Sequence, residues 1–133
     1  MKDFNDSAYA AYVCACVAQK TYIDYDYNSN PFVDIDFEVL DYFNNGGAQG
    51  YLIRQKQTLI LSFRGTEPDQ WNDIQADLNA LPDTAEAGGK VHNGFQNEVL
   101  DIYNLVYSSL DRHLFSSDIE HFFITGHSLG GAM

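Results

Sequence analysis

The stretch that decides the fold is His121-Phe122-Phe123-Ile124-Thr125-Gly126-His127-Ser128-Leu129-Gly130-Gly131-Ala132. An apolar run of strand length breaks at Gly126, and small residues follow it. The spacing Gly126-x-Ser128-x-Gly130 is that of a nucleophile elbow. A strand that reverses into a helix within a few residues brings two backbones close together. Small residues two before and two after the apex avoid the clash. The apex serine is then held in a strained conformation, with its hydroxyl lifted above the sheet edge. The following helix aims its N-terminus, and the Leu129 N–H, at a developing oxyanion. By spacing alone the same residues also suit an ordinary glycine-rich turn; the strand before them favours the elbow.

Outward from this point, the chain alternates strands and helices. A helix is predicted from about Gly94 to Leu114, with Phe95, Val99, Ile102, Tyr103, Val106 and Leu110 as its apolar stripe. Tyr51 to Arg54 and Thr58 to Phe63 read as two strands joined in a hairpin, the second apolar on nearly both faces, as a central covered strand is. Residues 7–23 read as a helix capped by Asp6 or Ser7, with Tyr9, Tyr12, Val13, Cys16 and Val17 on its apolar face. Residues 32–43 suit strand or helix, and Asn44-Asn45-Gly46-Gly47 is a strong breaker. A helix over 69–80 should stop at Pro82, and 83–90 should form a flexible surface loop. Ile119 to Thr125 should be a second buried strand. The whole implies an α/β layer fold with a largely covered sheet.

Composition narrows the function. Of 133 residues, 45% are apolar and 14% aromatic, enough for a core and too many for a disordered chain. The net charge of −12 repels phosphate backbones and makes a nucleic-acid partner unexpected. No apolar run is long enough for a transmembrane segment. Met1 to Asp6 lacks the cationic start of a secretory leader, so the default location is the cytoplasm. Cys14 and Cys16 point to different sides of their helix and read as packed thiols rather than a disulfide or metal pair. Asp24-x-Asp26-x-Asn28 looks like the start of a calcium loop, but Ser29 and Ile35 stand where glycine and glutamate are needed. No metal or organic cofactor is called for.

Thr125-Gly126-His127-Ser128-Leu129-Gly130-Gly131-Ala132 resembles the nucleophile motif of the class 3 lipases, the fungal-lipase-like branch of the α/β-hydrolases. Two further motifs resemble the same family in the same order. They are Phe63-Arg64-Gly65-Thr66, like its oxyanion loop, and Val91-His92-Asn93-Gly94-Phe95, like the opening of its long helix. Ile74-x-x-Asp77-Leu78 resembles a fourth element, with Ile where Trp is usual and Trp71 one turn earlier. The resemblance implies an α/β-hydrolase fold and hydrolysis of a carboxylic ester, most readily an acylglycerol. Ser128 would be the nucleophile, with Thr66 and the Leu129 N–H as oxyanion-hole donors. An ester lipid is the implied substrate. The implied lid runs from Thr66 through the 69–80 helix, carries Trp71, and would meet a lipid interface. Arg64 reads as a clamp on the oxyanion loop, toward Asp77 or Asp73. His92, His127, His113 and His121 read as structural.

In this fold the acid and the histidine base follow the serine, whereas only Leu129 to Met133 follow Ser128 here. The 133 residues therefore read as the N-terminal portion of one hydrolase domain, truncated just after the elbow and lacking on the order of a hundred residues. The isolated chain is expected to hydrolyse esters very slowly or not at all. A second reading keeps the hydrolase shape without catalysis, as a module binding acyl lipid or a protein partner. A third is another esterase, such as a phospholipase.

Overall fold

In a computed structural model, residues 3–65, 83–84, 88–91, 93–115 and 118–133 are described. Helix α1, Ser7–Lys20, starts where the Asp6 carboxylate accepts from the N–H groups of Ala8 (2.9 Å) and Tyr9 (3.3 Å). Such a cap is worth about 1 kcal/mol. A 3-10 turn, Val33–Ile35, leads into strands β1 (Glu38–Asn45), β2 (Ala48–Gln55) and β3 (Thr58–Phe63). A small ladder pairs β4 (Asp83–Thr84) with β5 (Lys90–Val91). Helix α2 (Asn93–Leu114), strand β6 (His121–Gly126) and the short helix α3 (Leu129–Ala132) complete the order.

The main sheet runs β1-β2-β3-β6. β1, β2 and β3 form an antiparallel meander, while β6 lies parallel to β3 after the α2 crossover. The breaker at Asn44–Gly47 is the reversal between β1 and β2, with Gly46 and Gly47 at φ of 62° and 93°. Residues 32–43 thus divide between a 3-10 turn and a strand. Residues 83–90, expected as a flexible surface loop, contain β4 and the first residue of β5.

β3 is buried along its whole length because helices cover both faces of the sheet. Leu52 opposes Leu61, and Ile53 opposes Ile60. Alternation sends the first pair toward α2, where Leu59, Phe63, Ile102 and Val106 join it. It sends the second pair toward α1, where Val13, Val17, Phe32 and Tyr51 join it.

Three expectations need correction. Tyr12 is 67% exposed, and α1 instead buries Ala10, Val13, Val17 and Ala18. On α2, Tyr103 is exposed and stacks on Tyr107, while Ile102, Val106 and Ser109 form the inner face. β6 is only half-buried, and Ile124 is 62% exposed. Ile124 pairs with Leu61 on the face that α2 covers, and α2 packs on β1 and β2. The 69–80 helix, Pro82, Trp71, Ile74, Asp77 and Leu78, and the side chain of Phe95, lie outside the described residues.

α2 is fastened to β1 by a polar clamp. The buried Ser109 hydroxyl donates to the Asp41 carboxylate, which also accepts from Arg112 at 3.1 Å and faces His113 Nε2 at 3.6 Å. Asp41→Ala removes the acceptor of a buried hydroxyl. It is expected to destabilise the protein by about 1–3 kcal/mol, read as a lower urea midpoint. Cys14 and Cys16 are free thiols, and burial pushes the Cys14 thiol pKa up, which disfavours its thiolate. No described helix is long and apolar enough to cross a membrane.

Candidate active site

The parallel register pairs Phe63 of β3 with Gly126 of β6. The two strands therefore end level. The segments that follow them, from Arg64 and from His127, leave the same C-terminal sheet edge side by side. In open α/β sheets that edge is where ligands bind.

Ser128 sits at the reversal with φ 58° and ψ −125°. That is the mirror image of ordinary extended backbone, a region only glycine occupies freely. For an L residue it stores strain of about 1–3 kcal/mol, sustained only by the packing around it. The packing is backbone on backbone. A Cβ on Gly126 would collide with the Gly130 carbonyl, and one on Gly130 would collide with the carbonyl of Phe63. Strand, turn and helix are thus pressed together with no side chain between them. Gly130→Ala is expected to destabilise the protein by about 1–3 kcal/mol, because the obstructing atoms are main chain and cannot rotate away. A shift in the urea unfolding midpoint measures it.

Gly65 closes the other side. A side chain there would run into the His127 carbonyl and the Tyr22 hydroxyl, and would stand 3.2 Å from Ser128 Cβ. The loop leaving β3 therefore touches the elbow directly. Ser128 and Leu129 are half-buried and Gly130 is buried. The N–H groups of Gly130 and Gly131 turn back on the carbonyls of His127 (3.1 Å) and Ser128 (3.0 Å). Thr66, next in the chain after Gly65, lies outside the described residues, as does His92.

Arg64 is clamped, and among the described residues it pairs with Asp24. Asp73 and Asp77 lie outside the described residues. The guanidinium also stands 5.9 Å from the centre of the Tyr22 ring, and the Arg64 N–H donates to the Gln49 carbonyl at 2.9 Å. His127 turns its Nδ1 toward the Tyr22 hydroxyl at 3.0 Å. His121 opens β6 and stacks on Phe123, and His113 belongs to the α2 clamp.

Sequence reasoning missed Tyr22 and misplaced Asp24. Asp24 lies in a stretch that fails as a calcium loop and reads as a solvated loop; here it pairs with Arg64, and Asp26 accepts from the Asn28 N–H in a tight turn. The stretch carrying Asp24 is braced by three tyrosines. Tyr25 stacks on Tyr42 at 5.5 Å, Tyr42 lies 4.8 Å from Tyr51, and the Tyr51 hydroxyl donates to the Ile23 carbonyl at 2.7 Å. Burial, and secondarily Tyr42, pushes the Tyr51 phenol well above its ordinary pKa, so it stays a donor through the physiological range. No group of three or more potential metal ligands occurs among the described residues.

A covered sheet with a strained serine at its C-terminal edge defines an α/β-hydrolase fold. Comparison with known proteins narrows the class. Residues 60–133 match the family described as lipase (class 3). That is more than half of the chain, and the chain belongs to this family. Among solved structures, it is similar to Rhizomucor miehei triacylglyceride lipase (22% identity, TM-score 0.71, covering 98% of this chain and 53% of that one). It is similar to lipase II from Rhizopus niveus (21%, TM-score 0.73, 97% and 53%). It is also similar to the lipase of Rhizopus microsporus var. chinensis (21%, TM-score 0.67, 98% and 49%). At such identities the likeness establishes the fold. The chain spans about half the length of these solved lipases. Among curated protein sequences nothing matches.

Proposed function

We propose that these residues are the N-terminal part of a serine hydrolase of carboxylic esters, acylglycerols foremost. Ser128 is the nucleophile, and Thr66 and the Leu129 N–H hold the oxyanion. The observation that carries the reading is the backbone of Ser128, φ 58° and ψ −125°, wedged against Gly65 at the C-terminal sheet edge. A non-glycine residue is kept in such a conformation only where surrounding structure enforces it, and such strain clusters at reactive sites.

In the proposed reaction Ser128 Oγ attacks the ester carbonyl carbon and its proton passes to a general base. The carbonyl oxygen becomes an oxyanion beside the Leu129 amide and Thr66. Collapse expels the alcohol, which takes up the proton, and leaves an acyl-enzyme. Water then attacks the acyl carbon and releases the acid. The acid and base come from residues downstream of Met133 in the full reading frame. Family membership and the half-length match to solved lipases support this reading. p-Nitrophenyl butyrate turnover by the full reading frame, with and without Ser128, tests it.

A further inference from the structure

We propose that Tyr22 is a positioning residue for the oxyanion hole, its hydroxyl joining the elbow at His127 to the loop at Gly65. This rests on the reading of Ser128 as nucleophile.

The end of α1 is pinned before Tyr22 begins. The buried Thr21 hydroxyl donates to the Val17 carbonyl at 2.8 Å and lies 2.6 Å from the buried Ser62 hydroxyl on β3. That fastens the helix exit to the strand that delivers Arg64 and Gly65. Tyr22, the next residue, then reaches three parts of the site. Its ring lies under the Arg64 guanidinium, its hydroxyl stands 3.0 Å from His127 Nδ1, and the same hydroxyl fills the space a Gly65 side chain would need. Two residues on, Asp24 grips Arg64 from outside. Residues 21–24 thus bridge the two segments whose spacing sets the oxyanion hole, across 105 positions of sequence between Tyr22 and His127. Oxyanion donors act only within a few tenths of an ångström of the right distance, and a misplacement of about 1 Å can lower a rate about 100-fold. A hydroxyl that fixes Gly65 against the elbow therefore acts on the transition state rather than on substrate binding.

Tyr22→Phe keeps the ring over Arg64 and removes only the hydroxyl. In the full reading frame its kcat for p-nitrophenyl butyrate is expected to fall about tenfold, with KM within about twofold of the parent. The same change in a His127→Leu background is expected to cost clearly less than in the parent, since the contact between the hydroxyl and His127 is already gone. A single variant with unchanged kcat, one that raises KM alone, or one with equal losses in both backgrounds overturns the proposal. Ser128→Ala run alongside separates the two readings. Full activity without Ser128 removes the serine mechanism and this proposal together. An inactive Ser128→Ala beside a fully active Tyr22→Phe removes the role of Tyr22 alone.

Discussion

Ser128→Ala in the full reading frame is expected to lower kcat for p-nitrophenyl butyrate by about 10⁴–10⁶, or about 5–8 kcal/mol of barrier. The loss is large because the proposed route passes through a covalent intermediate that alanine cannot form. What survives is water attack assisted by the oxyanion hole alone. The same position carries a second, opposite effect. Alanine keeps a Cβ at φ 58° and so keeps the strain, whereas glycine is at ease there. Ser128→Gly is therefore expected to be as inactive as Ser128→Ala yet more stable than the parent by about 1 kcal/mol, in the range of relieved backbone strain. Urea unfolding of the two variants measures the difference. A glycine variant no more stable than the alanine variant would remove the claim that the elbow stores strain. Retained, Ser128-independent turnover would remove the nucleophile.

Local chemistry explains which parts of this structure the sequence disclosed. The turn at Ser128 was legible because strand, serine and glycines lie within a dozen residues. The collisions that exclude side chains at Gly126 and Gly130 arise inside that same stretch or against the adjoining strand. The run Leu59–Phe63 was legible as central because residues on both its faces are apolar. Where the outcome depended on distant partners, the pattern misled. Tyr12 is expected on the apolar stripe of α1, yet the face that packs is formed by Ala10, Val13, Val17 and Ala18, and Tyr12 lies on the opposite side of the helix. The apolar composition of β6 suggested burial, but burial is decided by neighbours, and Ile124 stays exposed. At the site, Arg64 pairs with Asp24, 40 positions earlier, in a stretch that fails as a calcium loop and otherwise reads as an ordinary solvated loop. Tyr22 belongs to no motif, and only the meeting of α1, β3 and β6 shows what it touches.

Residues 1–133 expressed alone are expected to turn over p-nitrophenyl butyrate at least about 10⁴-fold more slowly than the full reading frame. A serine hydroxyl is almost fully protonated at neutral pH and needs a positioned base to attack at a useful rate. The ring nearest in sequence, His127, points Nδ1 at Tyr22. Asp24, the acid that pairs with the loop leaving β3, is committed to Arg64. Neither makes a dyad with Ser128. Support for the elbow is also one-sided among the described residues. β3 and Gly65 brace it, while Ile124 on the preceding strand faces solvent, so the strained turn has fewer contacts holding it in place. The proposed oxyanion donors alone would leave a residual rate above water, which sets the floor the assay should approach. Ser128-dependent turnover by the 133 residues within about tenfold of the full reading frame would contradict this. It would place a general base inside these residues, and His92→Leu, His113→Leu, His121→Leu and His127→Leu in turn would show whether a histidine supplies it.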